Sequence, residues 1–236
     1  MSNFLHSFLG SSGEKSLTKD DVVIVVERLK SASDITDRKD AVKALLEAAR
    51  AAAALVGPEA IPAAAALLRD GVGDEDVREG LLETLLALTT ARSPEDRPAV
   101  GANTALLLTD HQNVVNMLDL LEDSDVHTTL LAIQLLDQLH QAAGPSLEAT
   151  VLECPAGMLR LTDILQDRRE EVRNAALLLL GRLLAASAEF RQFFAFNGGF
   201  GRLLAIARAE GLLREGSPVC LDALRALRHT LAGDDG

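Results

Sequence analysis

"EVRNAALLLLGRLLAAS", residues 171–187, opens on charged residues and then turns apolar almost without interruption. A helix that faces water confines its apolar residues to one stripe. Nearly every position after Asn174 is apolar, so a helix here must be covered on both sides. Similar runs recur along the chain: "DVREGLLETLLAL" from Asp76, "DVHTTLLAIQLLDQL" from Asp125 and "PVCLDALRALRHTL" from Pro218. Their leading valines, Val77, Val126, Val172 and Val219, are spaced by 49, 46 and 47 residues. A shorter apolar segment and a polar turn precede the first three runs, as in "LLRDGVGDE", "LLEDSD" and "ILQDRRE". Residues 37–55, "DRKDAVKALLEAARAAAAL", read as an earlier copy. A period of this size, with two or three helices in each copy, is the mark of armadillo and HEAT arrays. The pattern predicts an all-α fold, a right-handed α-solenoid of about five armadillo/HEAT-like repeats. In such a stack each long helix is sandwiched between neighbouring repeats, which explains the missing polar face.

Composition supports this reading. The 236 residues are 48% hydrophobic and 25% charged, which marks a folded chain with a sizeable core. Leu and Ala dominate and both favour helix. The formal charge is −12, and no Lys/Arg cluster offers a face for nucleic acid. Cys154 and Cys220 have no metal-ligand spacing and read as buried, reduced thiols. No secretory signal and no membrane-length apolar run is visible, which predicts a cytoplasmic protein.

Break and capping signals divide the chain. Thr18 can cap a helix reaching about Ala32, and Thr36 one that runs to Val56 and stops at Gly57–Pro58. A short helix to Arg69 and a longer one over 75–90 follow. Residues 91–103, with Pro94 and Pro98, read as a loop. Helices are then expected near 104–109, 111–122, 125–142, 146–152, 156–166, 170–187, 189–196, 199–210 and 217–232. The organisation is thus an N-terminal amphipathic segment (1–17), a repeat domain (18–232) and an acidic tail (233–236).

Catalytic and ligand-binding signatures are missing. None of the five histidines has a second ligand at metal-binding spacing, so no metal site is expected. "NGGFG", residues 197–201, follows a helix and lacks the Lys-Ser/Thr of a phosphate loop, so it reads as a helix stop and restart. No nucleophile elbow occurs. The chain reads as a non-enzyme with no cofactor.

What remains is surface. Solenoids bind partners along the concave face, which is lined by the last helix of each repeat. Gln138 in "LLDQLH" and Arg182 in "LLGRLL" interrupt the apolar pattern at similar places late in their helices. They are candidate partner contacts; the alternative is a solvent-facing residue or a pair with a nearby carboxylate. In "MSNFLHSFLG", Phe4, Leu5, Phe8 and Leu9 share one helical face. That face could meet a membrane or a partner, or dock on the first repeat and cap it.

The chain resembles the globular head of the general vesicular transport factors, golgin-type vesicle tethers. The resemblance begins at "MSNFLHSFLG", continues through "DRKDAVKALLEAARAAAALVGPEAIPAAAALLRD" and is most specific over 112–210. There the family order appears: Gln-Asn-Val before a Leu-rich helix, a Gly-Pro junction, Pro-x-Gly before a helix, Asp-x-Arg-x-x-x-Arg-Asn, and Phe-Asn-x-x-Phe-x-x-Leu. The resemblance implies an armadillo-like head without catalysis, which tethers vesicles in ER-to-Golgi and intra-Golgi transport. It also implies a Rab-type small GTPase, SNARE proteins and other tethers as partners, peripheral association with Golgi and vesicle membranes, and a possible homodimer. Family heads are longer and run into a coiled coil, whereas residues 211–236 show no sustained heptads. The competing reading is another armadillo module, such as a nucleotide-exchange cofactor of Hsp70; the run "FRQFFAFNGGFG" favours the tether.

Overall fold

The computed structural model describes residues 17–211 and 217–231, and among these it holds twelve α-helices, three short 3₁₀ turns and no strand. They group into two units, divided between Asn113 and Val114.

Unit 1 contains α1 (Lys19–Ser31), α2 (Ile35–Ala51), α3 (Ala53–Asp70), α4 (Glu75–Thr89) and α5 (Arg97–Leu108). Helix α2 packs on α4, α1 rests on α2 and α3, and α5 lies against α3 and α4. Thr18 starts α1 as the sequence predicts: its hydroxyl accepts from the Asp21 N–H at 3.3 Å, and its own N–H donates to the Asp21 carboxylate at 3.0 Å.

Three boundaries differ from the sequence reading. Asp34, not Thr36, is the N-cap of α2. The break after α2 falls at Ala52 (φ −148°, ψ 64°), and α3 runs straight through Gly57–Pro58 and Pro62. Packing overrides the local stop signal, because Val56, Gly57, Ala60 and Ile61 are all buried. Gly57 is where Asn103 crosses α3, and a Cβ there would lie 1.9 Å from the Asn103 Oδ1. Asn103 Nδ2 donates to the carbonyls of Leu88 (2.9 Å) and Ala53 (3.1 Å), tying α5 to the end of α4 and the start of α3. The expected loop at 91–103 is mostly helical. Ser93 and Asp96 form a capping box around a 3₁₀ turn, Pro94–Asp96, and α5 begins at Arg97. Pro94 and Pro98 occupy first-turn positions, where a helix needs no N–H partner. The two prolines that suggested a loop therefore initiate helix.

Helix α6 (His111–Asp119) carries the division between the units. Unit 2 continues with α7 (Val126–Leu152), α8 (Pro155–Asp163), α9 (Glu170–Ala186), α10 (Ala188–Phe196), α11 (Gly199–Ala209) and α12 (Pro218–Leu231). The long helix α9 packs on both α7 and α12. This answers the question posed by its composition: Val172, Ala176, Leu177, Leu179, Leu180, Leu183 and Leu184 are all buried. Helix α7 has a non-helical residue at Ala143 (φ −151°, ψ 47°), just before Gly144–Pro145, which separates its two predicted stretches. His140 and Glu148 meet across this break at 3.0 Å.

The Gly-rich run is a helix stop, as expected. Asn197 caps α10, and Gly198 takes φ +77°, a conformation that suits glycine. Phe190 and Phe194 are buried with ring centroids 6.4 Å apart, while Phe196 points into solvent.

The valine repeat is only half structural. Val77 and Val172 are buried, but Val126 and Val219 are half-buried, and Thr128 and Cys220 fill the equivalent core places. The N-caps set the register instead. Asp74, Asp125 and Ser217 each accept from the N–H three residues on, those of Val77, Thr128 and Cys220. Both cysteines are free thiols. Cys220 is buried as expected; Cys154 is half-exposed, because its sulfur caps α8 by accepting from the Gly157 N–H at 3.4 Å. Phe4, Leu5, Phe8 and Leu9, with the rest of 1–16 and the 233–236 tail, lie outside the described residues.

Candidate partner-binding surface

The turns before α7 and α9 are tied together by one arginine. Arg169 pairs with Asp167 at 2.8 Å and donates to the carbonyls of Asp123 (3.1 Å) and Ser124 (3.3 Å). Hydrogen bonding to Arg169 holds the Asp167 carboxyl below the usual carboxylate range, against the opposing effect of burial. The same contact raises the Arg169 guanidinium. A carboxyl depressed in the fold adds stability above its unfolded pKa and loses it as pH falls through the folded value. Acid unfolding is therefore expected to involve this turn, and Asp167→Asn should flatten the acid limb of the stability–pH curve. A limb unchanged by the substitution would exclude Asp167 as a contributor.

With the turns in register, Gln138 and Arg182 stand at the same distance from their N-caps, Asp125 and Arg169. The equivalence suggested by the sequence therefore exists in three dimensions. Gln138 is half-buried and Arg182 is exposed. Arg182 Nη1 forms an ion pair with Asp137 Oδ1, from the residue beside Gln138. Gln141 Nε2 donates to the other Asp137 oxygen at 2.9 Å. Gln134 is exposed on α7, and Leu178, one turn before Arg182, is 47% exposed on α9. Two stacked helices thus present a stripe of amides, one carboxylate, one guanidinium and one leucine. Asp137 links the pair and could have been read from "LLDQLH". Leu178 could not: it lies inside four consecutive leucines, and nothing local marks which of them faces out.

The stripe can exchange hydrogen bonds with a polypeptide and seat one apolar side chain. An exposed ion pair contributes about 0–1 kcal/mol, so Arg182 can trade Asp137 for a partner carboxylate at small cost. Arginines elsewhere in unit 2 bridge helices similarly: Arg160 to Asp119 (2.7 Å) and Glu122 (2.9 Å), and Arg202 to Asp163 (2.5 Å). Among the described residues no group of His, Cys, Asp or Glu could hold a metal ion. No helix among them is long and apolar enough to cross a membrane.

Short and long helices alternating across capped turns define an armadillo-type repeat protein, an α-solenoid in class. A computationally designed armadillo repeat protein for modular peptide recognition superposes with a TM-score of 0.69 at 15% identity, over 89% of this chain and 82% of its own. The crystal structure titled Uso1-2 superposes with a TM-score of 0.82 at 22% identity, over 94% of this chain and 37% of that one. No family model matches the chain. In sequence it is 28% identical to human general vesicular transport factor p115, over 99% of this chain. The chain is a homologue of the general vesicular transport factors, and it spans about a quarter (25%) of the length of that relative.

Proposed function

We propose that the chain is a non-catalytic tethering head that acts in ER-to-Golgi and intra-Golgi transport. It works at the cytoplasmic side of Golgi and vesicle membranes by binding a Rab-type GTPase, SNARE proteins or other tethers. The observation that carries this reading is the pre-positioned stripe of Gln134, Asp137, Gln138, Gln141, Leu178 and Arg182, in a homologue of transport factors. Rigid helices hold these side chains before a partner arrives, so little ordering entropy is lost on docking. Phe4, Leu5, Phe8 and Leu9 serve the same function as a membrane or partner contact, or cap the repeat domain, which spans 18–232.

Affinity capture from cytosol tests the proposal. The wild-type chain is expected to enrich a Rab or a SNARE. Arg182→Glu with Gln138→Ala is expected to weaken that capture about tenfold or more while leaving the far-UV circular dichroism unchanged, since neither residue is in the core. Enrichment of Hsp70 without Rab or SNARE would replace the tethering role with that of a chaperone cofactor. Unchanged capture by the double variant would move the contact off the stripe.

A further inference from the structure

Asn197 is the one asparagine in the sequence that a glycine follows. The pair forms the junction between α10 and α11: Asn197 is the C-cap of α10, and Gly198 is the left-handed residue from which α11 starts. A Cβ at Gly198 would meet no neighbour, so the φ of +77°, and not crowding, reserves the place for glycine. The same glycine makes the pair chemically labile. Its amide nitrogen has no Cβ beside it to block an approach to the side-chain carbonyl of the preceding asparagine. Asn197 is half-buried and Gly198 is exposed, so water and hydroxide reach the pair.

The native turn holds the reacting groups apart. A ψ of 21° at Asn197 sets the Gly198 nitrogen beside the nitrogen of Asn197 and away from its Cβ. The Gly198 N–H donates to the Ala195 carbonyl at 3.2 Å. The side-chain Nδ2 of Asn197 donates to the Phe193 carbonyl at 2.8 Å, an acceptor it shares with the Asn197 N–H at 3.0 Å. Attack of the Gly198 nitrogen on the Asn197 Cγ needs rotation about ψ and the loss of both the Gly198 and the Nδ2 hydrogen bonds. The buried Phe194 ring lies against Gly199, the next residue, and resists that rotation.

We propose that Asn197–Gly198 is a site of spontaneous deamidation, gated by opening of the α10–α11 turn. In the opened turn hydroxide takes the Gly198 amide proton and the nitrogen bonds to the Asn197 Cγ. The Cγ–Nδ2 bond breaks, Nδ2 leaves as ammonia with a proton from water, and a cyclic imide remains. Water then adds to one imide carbonyl. Opening at Cγ yields aspartate, and opening at the backbone carbonyl yields isoaspartate, with the chain routed through Cβ. One water is consumed, one ammonia is released, and no atom changes oxidation state. Either product places a carboxylate at the negative end of α10 and removes the donor to the Phe193 carbonyl, so the cap does not re-form as it was. The turn thereby keeps a permanent record of its openings.

The full 236-residue chain, incubated at mildly alkaline pH and digested with trypsin at intervals, tests this through the peptide 192–202, "QFFAFNGGFGR". Chromatography and mass spectrometry separate its asparagine, aspartate and isoaspartate forms. The same peptide made synthetically and the urea-unfolded chain give the unprotected rate. Conversion in the native chain is expected to be about tenfold or more slower, and slowed by the same factor as hydrogen exchange at the Gly198 amide, because one opening exposes both. Phe194→Ala, or the milder Gly199→Ala, should raise both rates together. Native conversion as fast as that of the free peptide, no conversion in the unfolded chain, or a Gly198 amide that exchanges freely while conversion stays slow would overturn the proposal. So would variants that speed exchange without speeding conversion.

Discussion

Phe194→Ala is expected to lower the stability of unit 2 by about 3–5 kcal/mol. The side chain is fully buried in α10 and stacks beside Phe190. Its ring also presses on the start of α11: a Cβ added at Gly199 would lie 2.3–2.5 Å from three ring atoms. Removing the ring opens a cavity bounded by backbone, which cannot collapse as flexible side chains can. Gly199→Ala alone should also destabilise, by about 1–3 kcal/mol, because the ring has to move. In the Phe194→Ala background the same methyl enters the cavity and should cost little. Urea unfolding of the four proteins in this cycle reads the coupling, and additive effects would show that ring and glycine do not meet in solution.

Asn103→Ala is the matching experiment in unit 1, with an expected loss of about 2–3 kcal/mol. The side chain is buried and its Nδ2 donates to two backbone carbonyls, those of Ala53 and Leu88. The Leu88 carbonyl lies in the last turn of α4, where no intrahelical donor follows, so the truncation leaves it without its donor. Amide hydrogen exchange should show lost protection in α3 and α4, with unit 2 close to wild type. Gly57→Ala should disrupt the wild-type protein, since its Cβ would overlap Asn103, yet be tolerated after Asn103→Ala. Uniform loss of protection across both units would show that the two do not open separately.

These sites mark where sequence reading stopped. The helical class was legible because leucine and alanine fill long segments at a repeating interval, and the Thr18 cap because it depends on a residue three positions away. Gly57–Pro58 misled because its local meaning is a stop, whereas its place is set by Asn103, which lies far along the chain. Pro94 and Pro98 misled because proline both ends and begins helices, and position within the first turn decides which. The valines suggested a register that N-caps in fact set. In the candidate stripe, Gln138 and Arg182 were legible as breaks in an apolar pattern. The Asp137 pairing and the outward turn of Leu178 depend on how α7 and α9 are rotated against each other. On the last described helix Leu221 and Leu224 are exposed while Leu227 turns inward and is buried, a difference that nothing local in "PVCLDALRALRHTL" marks.

The bridge from Arg169 to the carbonyls of Asp123 and Ser124 bears on misfolding. Near-identical leucine surfaces are poor at telling their proper neighbour from a copy, or from the same neighbour shifted by one turn. Sliding α9 along α7 by a turn would keep most leucines dry and cost little apolar burial, but it would strand a guanidinium away from two acceptors and separate Arg182 from Asp137. Weak polar contacts thus act as proofreaders of alignment: they add little to the depth of the native well and much to its distance from the nearest wrong one.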